Sequence, residues 1–342
     1  MAASNSREGA PAEAGVLPPR SAREALDRGR IFLESKGVEE FRLDAELLVA
    51  HALRLDRLGL FLQLERPIAE AEITEARELL VRRGKGEPVA YLTGEREFFG
   101  RPFKVGAGCL IPRPESEHLI DEARRWWLER TGRSAAQRDE LLEANRLRAM
   151  QGDESAHEAA PEEEQPTRAA GPTVLDIGTG SGCLAVTLAL ELEGASVRAV
   201  DRSNAALKWA RINAEELGAG VELHELDALE YLSKQPPSSL DLVVSNPPYV
   251  DTADSASLAR EVRDFEPAEA LFAPAGDVDF WIRELLQRVP ALLRPGGLLL
   301  IELGADQGER ALELGRASAP PNATVRLIDD LAGIPRVLAL TC

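Results

Sequence analysis

The chain is short of cysteine, histidine, lysine and long apolar runs, and each shortage excludes something. Of its 342 residues only Cys109, Cys183 and Cys342 are cysteine, an odd number with no Cys-x-x-Cys spacing. Neither a disulfide framework nor a zinc knot is expected. The histidines, His51, His118, His157 and His224, are scattered without metal-ligand spacing, so no metal is expected. No stretch of 18 or more apolar residues occurs, and no membrane-spanning helix is expected. Met1 to Arg20 lacks the apolar stretch of a secretory signal. Arg7, Arg20 and Arg23 suit an organelle transit peptide, whereas Glu8 and Glu13 oppose one. The expected compartment is the cytoplasm, with an organellar address left open.

Positive charge is scarce too. The net charge is -18 and the pI about 4.8. Binding along nucleic acid needs a cationic surface that displaces counterions from phosphates. A protein or small-molecule substrate is therefore expected, and no direct nucleic-acid contact. The acidity and the preference for arginine over lysine fit a salty cytoplasm or a genome bias equally well.

What is present is enough for two domains: 44% of the residues are hydrophobic. Residues 20–85 read as a small helical bundle. Leu43, Leu47 and Ala50 fall at i, i+4 and i+7, widened by Leu48 and Leu53. A further helix is expected from Pro67 to Arg83, with Ile68, Ile73, Ala76 and Leu80 on one face. Residues 86–115 read as a β-hairpin connector. The short β-type runs Val89–Leu92, Glu97–Phe99 and Phe103–Val105 are punctuated by Gly94, Gly100 and Gly106, with a turn near Gly100 to Pro102. A helix is expected from Ser116 to about Arg130. Residues 131–171 form an insertion whose stretch from Asp153 to Glu164 carries six acidic residues and no Lys or Arg. It cannot bury enough apolar area to offset its ordering entropy and is expected to be largely disordered.

From residue 172 to 342 apolar runs alternate with helical patterns. Strands are expected at 174–178, 197–201, 221–226, 240–244, 298–303, 325–328 and 337–340, with helices from Gly182, at 204–217 and near 279–293. Such alternation means an α/β domain, a parallel sheet with helices on both faces.

Two turns in this domain carry chemistry. Asp176-Ile-Gly178-Thr179-Gly180-Ser181-Gly182 lies between a strand and a helix. Glycines let a backbone approach a ligand closely, and amides at a helix start meet a negative group such as a carboxylate. Asp176 suits a ligand with a cationic amino group. Asp201 ends the next strand, where a carboxylate takes ribose hydroxyls. The glycine spacing is not Gly-x-Gly-x-x-Gly, and no Gly-Lys-Ser/Thr follows. These features favour S-adenosylmethionine and leave a dinucleotide open.

The second turn, Asn246-Pro247-Pro248-Tyr249, follows the fourth strand of this domain. Paired prolines stiffen it. An amide or exocyclic amine nitrogen is a poor nucleophile with two N–H donors. The Asn246 side-chain oxygen and the Pro247 carbonyl are suited to accept both, aiming the nitrogen and stabilising its developing charge. Tyr249 is expected to pack on the planar target group. Asn246, Pro247 and Tyr249 are thus the candidate catalytic residues, with Pro248 as a further substrate contact.

With both turns placed, the chain resembles the peptide chain release factor glutamine methyltransferases over about 20–130 and 172–341. The resemblance is carried by Gly86 to Phe98, Ile111-Pro-Arg-Pro-Glu-Ser-Glu117, Asp176 to Gly182, Asn246 to Tyr249, Phe265-Glu-Pro267 and Arg42-Leu-Asp-Ala-Glu-Leu-Leu48. It implies a class I methyltransferase-type Rossmann-like doubly wound sheet of seven strands, the last antiparallel, behind a small N-terminal helical bundle. It implies S-adenosylmethionine as cofactor, the glutamine of a Gly-Gly-Gln motif in release factors as target, and recognition of the release factor by the helical domain. It carries cofactor contacts onto 178–182, Asp201 and Asn246, and onto Asp227 and Ala228, the second a position where members often have an aromatic residue. A monomer is expected. Arg113 and Glu115 either line the entrance to the site or form an ion pair that locks the domains. Cys183 is expected to pack in the core, and Glu302 either points into the cleft or is structural. Competing readings are a ribosomal-protein glutamine, an adenine amine in nucleic acid, or a silent binding module on the same scaffold.

Overall fold

The computed structural model describes residues 19–132 and 171–342. The expectations for 1–18, and for residues 133–170 of the insertion expected at 131–171, lie outside these. The chain forms two compact units that part after Thr93.

The first unit is helical: α1 Ala22–Ser35, α2 Phe41–Ala52, α3 Arg57–Leu62, α4 Glu70–Gly84 and α5 Val89–Thr93. Side chains satisfy the free amides at several helix starts. Ser21 accepts from Glu24 N, Asp56 from Gly59 N, and Glu72 from Ala69 N. Leu26, Leu33, Leu48, Val49, Leu60 and Leu92 fill the centre. The buried stripe of α2 runs along Ala45, Leu48, Val49 and Ala52, leaving Leu43 and Leu47 half-buried at its edge. This helix is enclosed on most sides, so its buried acids are paired: Asp44 meets Arg83 at 2.6 Å, and Glu46 meets Arg30 and Arg57 at 2.6 and 2.7 Å.

Two expectations need correction here. Helix α4 begins three residues after Pro67, because Pro67 bridges Ser21 in extended backbone. Val89–Thr93 is helical, not extended. The Pro88 carbonyl accepts from the amides of Tyr91 and Leu92, and Leu92 is drawn into the bundle core. Tertiary burial here outweighs the β propensity of Val and Tyr.

The second unit opens with the hairpin β1 Glu95–Phe98 and β2 Arg101–Lys104. Its turn residues Phe99 and Gly100 both have positive φ, 51° and 69°, which matches the twist of a tight hairpin. Helix α6, Glu117–Thr131, follows a 3₁₀ turn at Pro114–Ser116.

The main sheet has the order β5 (Val221–Glu225), β4 (Ser196–Asp201), β3 (Thr173–Ile177), β6 (Leu240–Ser245), β7 (Leu293–Glu302), β9 (Pro335–Thr341), β8 (Thr324–Asp329). All neighbours are parallel up to β7, and β9 runs antiparallel between β7 and β8. Alternate residues feed two cores, one on each face. Val174, Leu242, Val244, Leu298 and Leu300 go to one, and Leu175, Leu240, Val243, Leu299 and Ile301 to the other. This is the doubly wound, seven-stranded fold with its last strand antiparallel.

Helices α7 Cys183–Glu191, α8 Asn204–Glu216, α9 Ala228–Ser233, α10 Arg260–Phe265, α11 Ala268–Leu271, α12 Phe280–Arg288 and α13 Gly308–Ser318 complete the described α-helices. No described helix is long and apolar enough to cross a membrane. Chain order reverses beside β3, which has β4 on one side and β6 on the other. A crevice opens at the carboxyl ends of the strands at such a switch point.

Candidate active site

Helix α7 is entered from β3 through the glycine turn, which is pinned from behind and beside. Asp176 is wholly buried; one oxygen accepts from Thr179 Oγ1 at 2.6 Å and from Ala185 N at 3.1 Å. Burial pushes its carboxyl up to about 7, against the pull of those two bonds. Asp201 accepts from Gly180 N and Ser203 N, each at 2.9 Å, one on each oxygen. Burial raises its carboxyl as well. Asn213 of α8, buried inside the fold, donates to the carbonyls of Ser181 and Lys104 and accepts from Lys104 N, so it ties the hairpin to the turn.

A cavity of about 260 Å³ lies above this turn. Of the expected residues, Gly178, Thr179, Gly180, Ser181, Asp201, Asp227, Ala228, Asn246, Pro247 and Pro248 all border it. Asp227 also caps α9, accepting from Leu229 N and Glu230 N. The Asn246 amide nitrogen donates to Ser116 Oγ at 3.0 Å, while its oxygen accepts no hydrogen bond among the described residues. The Pro247 carbonyl also accepts none among them. Two bare acceptors therefore sit side by side at the wall of the cavity.

Three expected residues stand elsewhere. Asp176 lies behind the turn and holds its shape. Gly182 starts α7 with φ 81° against Ala210 of α8. Tyr249 does not border the cavity: its ring edge lies against Gly304, and the Glu302 carboxylate is close enough to act on its hydroxyl. Burial raises the Tyr249 hydroxyl far above its ordinary value, so it stays a donor.

Of the two roles open to Arg113, bordering the site is the one seen. Arg113 borders the cavity, and its ion pair is with Glu266 of the same unit rather than a lock between domains. Cys183 packs on one core and borders the cavity, its thiol pushed up to about 12 by burial.

Two family models match the chain: the PrmC N-terminal domain over residues 24–94 and the methyltransferase small domain over 163–294. The release factor glutamine methyltransferase of Geobacter sulfurreducens is 39% identical over 85% of this chain and 86% of that one. That of Koribacter versatilis is 36% identical over 92% of this chain and 96% of that one. The chain belongs to the release factor glutamine methyltransferase family. A solved protein-(glutamine-N5) methyltransferase (release factor-specific) from Alicyclobacillus acidocaldarius is 27% identical, over 70% of this chain and 98% of that one, with a TM-score of 0.37.

The cavity fits the methyl donor of class I methyltransferases, S-adenosylmethionine. A Cβ placed on Gly178 or Gly180 would meet nothing within 4 Å, and both border the cavity, so a ligand can lie directly on the backbone. Asp201 and Asp227 add carboxylates along the same wall, as a hydroxyl-rich, cationic ligand requires.

Several residues at this site escaped the sequence reading. Ser116, Glu269, Phe272 and Trp281 all border the cavity. The Trp281 indole N–H is buried without a partner among the described residues. Ser116 lies within the Ile111–Glu117 stretch but nothing in its type marked it as a contact, and Glu269, Phe272 and Trp281 sit in no motif and at no strand end. For Asn213 the one signal is a polar residue on the apolar face of a helix.

Proposed function

We propose that this chain transfers a methyl group from S-adenosylmethionine to the side-chain amide nitrogen of a glutamine in release factors, and that this is the glutamine of their Gly-Gly-Gln motif. The pair of bare acceptors beside the glycine turn, Asn246 Oδ1 and the Pro247 carbonyl, carries the reading. A carboxamide nitrogen has two N–H groups, and these two oxygens match them. Held this way, the nitrogen is aimed before reaction rather than by chance. The same oxygens face the positive charge that develops on it. No strong base is needed before attack, since the proton leaves afterwards.

The glycine turn, Asp201 and Asp227 would hold S-adenosylmethionine, which supplies an electrophilic methyl group on a sulfonium. Ala228 leaves room beside Asp227. Pro248 stiffens the turn behind Pro247. The helical unit takes the release factor, and the enzyme works as a monomer in the cytoplasm on protein rather than nucleic acid.

The purified chain with labelled S-adenosylmethionine is offered, in parallel, a release factor, a ribosomal protein and DNA. Label on the release factor, localised by mass spectrometry to the glutamine of the Gly-Gly-Gln tryptic peptide, is the expected result. Label on the ribosomal protein or on DNA alone would overturn it.

A further inference from the structure

The proposed reaction needs the oxygen of Asn246, not its nitrogen, to face the target. The two ends of a carboxamide have nearly the same shape, and a half-turn exchanges an acceptor for two donors. With the nitrogen turned inward, N–H would meet N–H and the substrate amide would be repelled. Something in the fold must choose the sense.

Ser116 Oγ lies 3.0 Å from Asn246 Nδ2 and 2.5 Å from Glu302 Oε2. A hydroxyl alone would hold Asn246 either way, because it both donates and accepts. A carboxylate only accepts. Ser116 and Glu302 are each only 2% exposed, so water does not compete for these bonds. The placement follows from the sheet: Ser245 and Ile301 are register partners on β6 and β7, so Asn246, the first residue past β6, follows one and Glu302, the last of β7, follows the other.

We infer that Ser116 and Glu302 are positioning residues that set the sense of the Asn246 amide. The carboxylate takes the Ser116 proton, Ser116 is left with lone pairs only, and Asn246 must present its NH₂ to them and its oxygen to the cavity. The inference rests on the proposed transfer to a glutamine amide.

The test is a matched pair of variants, Ser116→Thr and Ser116→Val. They share the added methyl group and differ in the hydroxyl. Release factor methylation, S-adenosylmethionine affinity by calorimetry and melting temperature are measured for both. Ser116→Thr should stay within a few fold of wild-type kcat. Ser116→Val should lose roughly 10- to 100-fold in kcat, the scale of one misplaced polar contact at a reacting centre. Its cofactor affinity should remain within about twofold. A Val variant at the wild-type rate, or equal losses in the Thr and Val variants, would overturn the inference. Glu302→Gln is the second arm. Its amide can donate to Ser116, which restores both senses, so kcat should fall about 5- to 20-fold. An unchanged kcat would remove Glu302 from the device. Wild type labelling no release factor in the same assay would instead sink the functional reading.

Discussion

Arg113 closes on Glu266 at 2.5 Å, and the other Glu266 oxygen takes the amide of Ile111 at 2.9 Å. Glu266 thus fastens the segment Ile111–Arg113 to the loop that follows α10, and both segments border the cavity. Its side chain is 1% exposed, so the charge depends on Arg113 for compensation. Arg113→Ala leaves a buried carboxylate without its cation and should cost about 3 kcal/mol in urea denaturation. A loss under about 0.5 kcal/mol would mean that the amide of Ile111 suffices.

Asn246→Ala removes one of the two acceptors offered to the target. Turnover should fall by about two to three orders of magnitude, the scale of losing one preorganised polar group at a transition state. S-adenosylmethionine affinity should stay within a few fold. Single-turnover methylation together with calorimetry separates the two, and near wild-type turnover would defeat the orienting role.

Asp201 supports the glycine turn through Gly180 N and faces the cavity. Asp201→Ala should therefore act on binding, weakening S-adenosylmethionine by about 10- to 100-fold, the worth of one or two hydrogen bonds to a charged group. Unchanged affinity in a calorimetric titration would rule out its place in the cofactor site.

Burial pushes Glu302 up to about 7 from an ordinary 4.5, helped by Glu115 and opposed by Ser116, Arg336 and Tyr249. Between these two values the folded state holds a proton that the unfolded chain has lost. Its contribution to stability therefore falls as pH rises from about 4.5 to about 7. The stability of wild type relative to Glu302→Gln should decline across that window. Turnover should move the opposite way, rising through pH 7 as Glu302 ionises and fixes the sense of Ser116. Asp176, also pushed up to about 7, remains in both proteins. A rising limb that persists in Glu302→Gln would assign it to Asp176 instead.

Gly182 combines φ 81° with a Cβ position 3.1 Å from Ala210 Cα. Gly182→Ala meets both the left-handed penalty and backbone of α8, and should destabilise by about 2 kcal/mol. Thermal denaturation measures it; a gain in stability would contradict the packing of α7 on α8.

The central strands β3, β6 and the second half of β7 were legible because they are buried on both faces and read as apolar runs. Boundaries shifted where pairing extends a strand: β7 starts at Leu293, ahead of the expected 298, because Leu293 pairs with Leu240 across a register shift. Helix α13 was not anticipated. Its buried face is Gly308, Ala311 and Gly315, small residues that allow close approach to Pro335 and Val325. Val89–Thr93 was misread because five residues are too few for a helical period to declare itself.

Local chemistry reached the glycine turn, Asp201 and the Asn-Pro-Pro-Tyr turn, since each depends on residues adjacent in the chain or at the end of a strand. It did not reach the direction of side chains beyond those turns. Tyr249 belongs to the motif yet points to Glu302.

From residues alone came the alternating α/β pattern, the stiff turn with its two acceptors and the glycine backbone open to a ligand. All of these are set by neighbours within a few positions. Only the tertiary fold decided that Asn246, Ser116 and Glu302 form one hydrogen-bonded line, with the central Ser116 standing 130 positions from Asn246 and 186 from Glu302. Hydrogen-bond polarity depends on which groups meet across strands, and no spacing along a chain encodes that.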